Sequence, residues 1–341
     1  MDTRKVLEMG GGTVLISLPK EWARRNKVAR GASVLVEEIS PGRLMVSPVG
    51  PEGQPAKTTV IEYPREDISY VVNDLTGAYL IGSNVIRVEG KQTIGREDRE
   101  RIKGMTRRLV GLEIMDEDSK SLTLHFLPEP STLDPEKIVR RMGNLTRGML
   151  KDAREALREE DSKVMALIAE RDDEVDRLYF LLVRAIRTAT IDPELAQRYG
   201  LTPVECLDYR VLASFLEGLG DTIAEFSKRA ATEPPSGAPA TEISEVFRVL
   251  EDMEELSVRT FLERKQGRSR SGYLEIDVMK RRVDDSLRRI TETRGVSTGL
   301  IVDLLSMVER IAKTFVDISD LSLPTYQFTD APQSKKKGSK G

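Results

Sequence analysis

Two pairs of carboxylates at helical spacing hold the chemistry this sequence offers. Asp172 and Asp176 lie four residues apart, and so do Glu217 and Asp221. Residues at that spacing share one face of a helix. Around the first pair an apolar rail runs through Ile168, Val175, Tyr179 and Leu182. Asp172 falls between Ile168 and Val175 on that rail, so it is expected to point into a helical bundle. A buried carboxylate must be paired, protonated or bound to a metal. Beside the second pair stand Ala213, Gly220 and Ala224, which let another helix approach closely. A glycine inside a helix costs about 1 kcal/mol relative to alanine, so Gly220 is expected to have a packing reason. If the two pairs face each other, four carboxylates converge with almost no basic partner. Such a set suits a hard cation or a water-rich metal cluster. The other outcome is a solvated groove where these acids pair with Arg171, Arg177 or Arg184.

Other chemistry is largely excluded by counts. The chain has one His, His125, and one Cys, Cys206. Thiol–histidine pairs, Ser-His-Asp triads, His-containing di-iron sites and ordinary zinc sites therefore lack their ligands. No nucleophile–base pair is visible, so an enzyme is not expected. His125 sits in the alternating run Leu122–Leu127 and reads as a strand residue. No intrachain disulfide can form. Gly10-Gly11-Gly12 is followed by no Gly-Lys-Ser/Thr, so it reads as a loop needing positive φ rather than a phosphate cradle. Trp22 and the tyrosines Tyr63, Tyr70 and Tyr79 read as packing residues. No run of about 18 apolar residues is present, so no membrane insertion is expected and a cytoplasmic location follows. The formal net charge is −3 over 341 residues, so nucleic-acid binding would need a local patch.

The elements that must position these residues fall into three stretches. Residues 1 to 50 read as short strands, among them Thr13–Leu18, Ala32–Ile39 and Leu44–Val46, around one short helix from Lys20 to Lys27. Val49 to Lys57 is rich in Pro and Gly and reads as a linker. Residues 58 to 128 alternate between strand and helix periods: strands at Thr58–Tyr63 and Asn84–Val88, helices at Ser69–Leu80 and Gly95–Leu109, and a hairpin from Leu112–Met115 and Leu122–Phe126. From Pro135 the pattern is helical. Long helices are expected from Pro135, at about 162 to 189 and at about 204 to 231. After the break Glu233–Pro239, three more follow at about 241 to 265, 271 to 293 and 297 to 321. Three helices, a Pro/Gly break and three helices suggest two similar antiparallel bundles. The lysine-rich tail Ser334–Gly341 reads as disordered.

The helical half resembles the PhoU family of phosphate-uptake regulators. The mark is an acidic-x-x-x-Asp motif on the second and third helices of each bundle. Arg171-Asp172-Asp173-Glu174-Val175-Asp176-Arg177-Leu178 is similar to the first copy and Leu216-Glu217-Gly218-Leu219-Gly220-Asp221 to the second. The resemblance covers about residues 135 to 323. It implies two three-helix bundles and a divalent or trivalent metal (Mg, Mn, Fe or Zn) at Asp172, Asp176, Glu217 and Asp221. The second bundle departs from the motif. Val283-Asp284 aligns with Val175-Asp176, but Lys280 stands in the place of Asp172. Glu309-Arg310-Ile311-Ala312 aligns with the third-helix motif, but Lys313 replaces its final Asp. Salt bridges from Lys280 to Glu309 and from Asp284 to Lys313 are expected across those helices.

At the other end, Arg4-Lys5-Val6 with Gly10-Gly11-Gly12-Thr13-Val14-Leu15-Ile16-Ser17-Leu18-Pro19-Lys20-Glu21-Trp22 resembles the SpoVT-AbrB family of swapped-hairpin DNA-binding domains. That resemblance covers about residues 3 to 50 and implies an interlocked homodimer. Eight basic and five acidic residues leave this end at +3, whereas the whole chain is negative. Arg4, Lys5, Lys20, Arg24, Arg25 and Lys27 are the expected DNA contacts, positioned on phosphates with room for an arginine to read a guanine edge.

The expectation is an α+β multidomain protein. Its parts are residues 1–52 (swapped-hairpin domain), 57–130 (small α+β module), 135–232 and 240–323 (three-helix bundles) and 324–341 (basic tail). The domain order is typical of archaeal phosphate-uptake regulators acting at DNA as homodimers. The alternative is a metal-dependent adaptor that binds and inhibits a phosphate transporter ATPase or a signalling kinase, with the N-terminal domain serving only to dimerise it.

Overall fold

The computed structural model describes residues 3–9, 13–40, 42–48, 57–264, 269–292 and 299–322. The Gly10–Gly12 loop, most of the Val49–Lys57 linker and the lysine-rich tail lie outside them. The chain is α+β, with two compact units, Met1–Ala56 and Lys57–Gly341.

The first unit holds two antiparallel hairpins and one short helix. Strands β1 (Val6–Met9) and β2 (Thr13–Ile16) pair with Val6 opposite Ile16. Helix α1 (Lys20–Arg25) follows Pro19, and β3 (Val34–Ser40) pairs with β4 (Arg43–Pro48). β1 is a strand beyond the three expected from the sequence. The first hairpin has no core of its own: Val6, Leu7, Met9, Val14, Leu15 and Ile16 are all exposed, Leu7 to 65%. Leu35, Val36 and Leu44 of the second hairpin are exposed as well.

The second unit opens with a four-stranded sheet, order β5-β6-β8-β7. β5 (Thr58–Tyr63) and β6 (Val85–Gly90) are parallel, joined by α2 (Ile68–Leu80). After α3 (Arg96–Arg108), the hairpin β7 (Leu112–Glu117) and β8 (Ser121–Phe126) completes the sheet, with β8 antiparallel to β6. Alternation places Ile86, Val88, Leu122 and Leu124 inside, with Val71, Leu75 and Tyr79 of α2 and Ile102 of α3. On the other face Val60 and Met115 are exposed. Tyr63 and Tyr79 are core residues, but Tyr70 is 54% exposed and is not a packing residue. His125 lies in β8 opposite Val85 and Glu113, as a strand residue should.

The rest is helical. Asp134 caps α4 (Pro135–Glu159) by accepting from the Lys137 N–H, and Pro135 occupies the first turn. The second long helix expected from the sequence is two helices, α5 (Ser162–Glu170) and α6 (Asp172–Ile191), broken at Arg171. Asp172, Asp173 and Glu174 then fill the first turn of α6, where carboxylates complement the helix dipole. A short α7 (Pro193–Arg198) leads to α8 (Pro203–Thr232), opened by a Thr202/Glu205 capping box. The second set is α9 (Gly237–Leu262), α10 (Ser269–Glu292) and α11 (Gly299–Asp320). α4, α5, α6 and α8 pack together, as do α9, α10 and α11. The two sets are joined along α4–α9 and α8–α11. Arg147–Glu255 and Arg154–Glu251, both 2.6 Å, cross the first seam, and Arg229–Asp303 at 2.7 Å the second.

Candidate metal centre

The kink at Arg171 and the packing of α6 on α8 bring three of the four candidate acids together. Asp172 and Asp176 of α6 and Asp221 of α8 each offer an oxygen, and those oxygens lie within 4.8 Å of one another. Gly220 permits this. A Cβ there would meet Asp172 Oδ1 at 2.8 Å and Val175 Cγ1 at 3.2 Å, so the expected packing reason is the carboxylate itself. Asp172 Oδ1 is shut off from solvent and has no hydrogen-bond partner among the described residues. Glu217 stands one helical turn before Asp221 and is outside the converging set.

The electrostatics follow from crowding like charges, with Asp172 and Asp176 half-buried beside the exposed Asp221. Burial, and then the neighbouring Asp221 carboxylate, push Asp172 up to about 7, with Lys228 opposing. Asp176 is raised by burial against the pull of Arg108. Glu217 is raised by burial and by Asp221 and Asp176, with Arg210 opposing. A cluster in this state takes up either protons or a cation. All its donors are carboxylate oxygens, the ligand type of hard cations. The unpartnered, desolvated Asp172 Oδ1 is of a kind that could serve as a metal ligand.

The arginine that reaches this cluster is one the sequence reading missed. Arg108, at the end of α3 in the sheet module, forms an ion pair and hydrogen bond with Asp176. The proposed partners are engaged elsewhere or lie apart. Arg171 pairs with Asp152 on α4, and Arg184 donates to the carbonyls of Tyr79 and Ser83. Arg177 is exposed. The one sequence signal for Arg108 is its place in the last turn of α3, where basic residues favour the helix dipole whatever their partner.

The matching cell of the second bundle holds no such cluster among the described residues. The cross-helix bridges expected there are not formed. Lys280 instead bonds Asp284 of its own helix at 2.5 Å, because the i,i+4 neighbour on a helix face lies nearest. Glu309 and Lys313 are exposed on α11.

The expected DNA contacts are all exposed in the first unit. Arg4 and Lys5 precede β1, Lys20, Arg24 and Arg25 lie on α1, and Lys27 follows it at φ +54°. Arg24 also pairs with Glu21 at 2.7 Å. Trp22 is half-buried on α1, and Cys206 is a buried free thiol in α8.

No curated protein matches the chain. Among solved structures, a crystal structure of PhoU from Pseudomonas aeruginosa is similar over 55% of this chain and 93% of its own, with 17% identity and a TM-score of 0.45. From within α4 to within α8, residues 139–230 match the PhoU domain family, and the carboxylate cluster lies within that stretch.

Proposed function

We propose that this chain is a regulator of phosphate uptake that acts at DNA as a homodimer and binds a metal ion in its first helical bundle. The observation that carries the metal reading is the desolvated, unpartnered Asp172 Oδ1 among converging carboxylates inside the matched domain. Asp172, Asp176 and Asp221 would hold the ion, with Glu217 one turn away as an outer carboxylate. A bound Mg, Mn, Fe or Zn ion would supply positive charge that offsets the mutual repulsion of these acids.

Exposure in the first unit supports the DNA reading. Six apolar strand residues without a core ask for a second copy of the hairpin, and a dimer doubles the basic surface. Binding of the full-length protein to fragmented genomic DNA under a salt titration tests this, beside Arg24→Ala/Arg25→Ala. Selective binding that weakens steeply with salt and is lost in the double variant is the expected result. Salt-insensitive or absent binding sinks it.

One observation favours the adaptor reading. Val204, Leu207 and Val211 form an exposed apolar stripe along α8, suited to a protein partner such as a phosphate transporter ATPase or a signalling kinase. Dimers that fail to bind DNA but capture that ATPase would establish it instead.

A further inference from the structure

The sheet module is seated on α6 by two arginines of opposite character. Arg184 of α6 is 2% exposed. It donates to the Tyr79 carbonyl at 2.5 Å and the Ser83 carbonyl at 3.0 Å, and it lies 3.7 Å over the Phe126 ring. It therefore adds a second bond to the Tyr79 carbonyl, which also accepts from the Gly82 N–H at 3.1 Å, holds the Ser83 carbonyl just past α2, and is enclosed by the groups it serves. Arg108 of α3 is 46% exposed, and its one ion pair among the described residues is with Asp176. The arginine end of the pair is half-exposed while Asp176 is 17% exposed, so on opening solvent takes up the guanidinium and leaves the carboxylate open to another cation.

The partner of Arg108 is a carboxylate of the cluster assigned above to a metal. A guanidinium and a metal ion on one small carboxylate repel each other, so each weakens the other's hold. We propose that Arg108 is a resident competitor for the metal ion, and that an ion taking Asp176 frees the α3 end of the sheet module while Arg184 keeps the α2 end seated. The inference rests on the metal reading of the cluster. It makes the module report occupancy of the bundle through one exchangeable contact, with Asp172 and Asp221 holding the ion beside Asp176.

The test uses the full-length protein with Mn2+ as probe, measuring affinity by calorimetry and amide exchange in α3 by mass spectrometry. Arg108→Gln is expected to bind Mn2+ at least tenfold more tightly than the parent, and Arg108→Lys, which keeps the charge, to stay near the parent. In the parent, saturating Mn2+ is expected to speed exchange in α3 but not in α2. In Arg108→Gln, α3 exchange is expected to be fast with or without the ion. Equal affinity in the parent and Arg108→Gln, with binding abolished in Asp172→Asn/Asp221→Asn, overturns the competitor while the metal site stands. Mn2+ binding that Asp172→Asn/Asp221→Asn leaves intact overturns the metal site and the competitor together.

Discussion

The α6–α8 cell and the α10–α11 cell correspond at their motif positions, yet they handle charge in opposite ways. Val175 and Val283 are both buried and set the same helix face. Next to them, the first cell holds Asp172 where the second holds Lys280, and Gly220 where the second holds Ala312. Ala312 is fully buried, so the second cell accommodates a methyl group. In the first cell that space is taken by the Asp172 carboxylate. The second cell settles its charge within one helix, through Lys280 and Asp284. The first has one ion pair among the described residues, from Arg108 of another module, with Lys228 and Arg210 acting on it without an ion pair. A repeated motif can thus persist in pattern while only one copy keeps the unsatisfied chemistry that a ligand could use.

The largest expected effect tests whether the acidic cell alone makes the bundles sensitive to pH. Glu254 of α9 is 2% exposed, and a Cβ at Gly143 of α4 would meet its Oε1 at 2.8 Å. Oε1 has no hydrogen-bond partner among the described residues, and burial pushes this carboxyl up to about 8, with Arg147 opposing. The folded state therefore holds a proton that the unfolded chain releases near its ordinary value. Stability from this group is fully present below about pH 4 and is lost as pH rises through about 8. Glu254→Gln is expected to be on the order of 3 kcal/mol more stable than the parent at pH 9, with the difference vanishing at acid pH. Parallel urea-unfolding profiles across that range would place the sensitivity elsewhere.

A smaller effect probes the shape difference. Gly220→Val is expected to cost about 2 kcal/mol through overpacking against Asp172 and Val175. Equal urea midpoints for the variant and the parent would mean that the cell does not need its glycine.

The smallest effect probes the charges directly. Asp172 is raised to about 7, so its favourable contribution is present at low pH and lost as pH rises through about 7. Asp172→Asn is expected to gain about 1 kcal/mol at pH 8, held down by solvent screening, and to match the parent at acid pH. In the second cell, Lys280→Ala is expected to lose about 0.5 kcal/mol, as for a helical i,i+4 pair. A loss of stability in Asp172→Asn, read from the same urea curves at pH 8, would show that the acidic cell is not strained and would erase the contrast between the two.

Much of this was legible in the residues. Period signals located the strands and helices of the sheet module within a few residues, because strand alternation and helical spacing are set by near neighbours. The acid pairs were legible for the same reason, since four-residue spacing fixes a shared face whatever the helix packs against. The break at Arg171 was not, because Ile168 and Val175 keep helical phase across it. Glu254 had a signal that passed unread: it lies four residues after Leu250 and seven before Phe261, both fully buried, so the apolar face of α9 already included it.

The sequence by itself determined most of the strands and helices, the carboxylate pairs and the lysines that alter the second motif, because each depends on neighbours within about one helical turn. Only the tertiary structure decided that Asp221 joins Asp172 and Asp176 while Glu217 stays apart, that Lys280 turns to its own helix, and that Arg108 reaches across 68 residues to Asp176. Those outcomes depend on the approach and rotation of packed helices. Such geometry is set by side-chain volumes at contacts distant in sequence, among them the space left by a missing Cβ at Gly220.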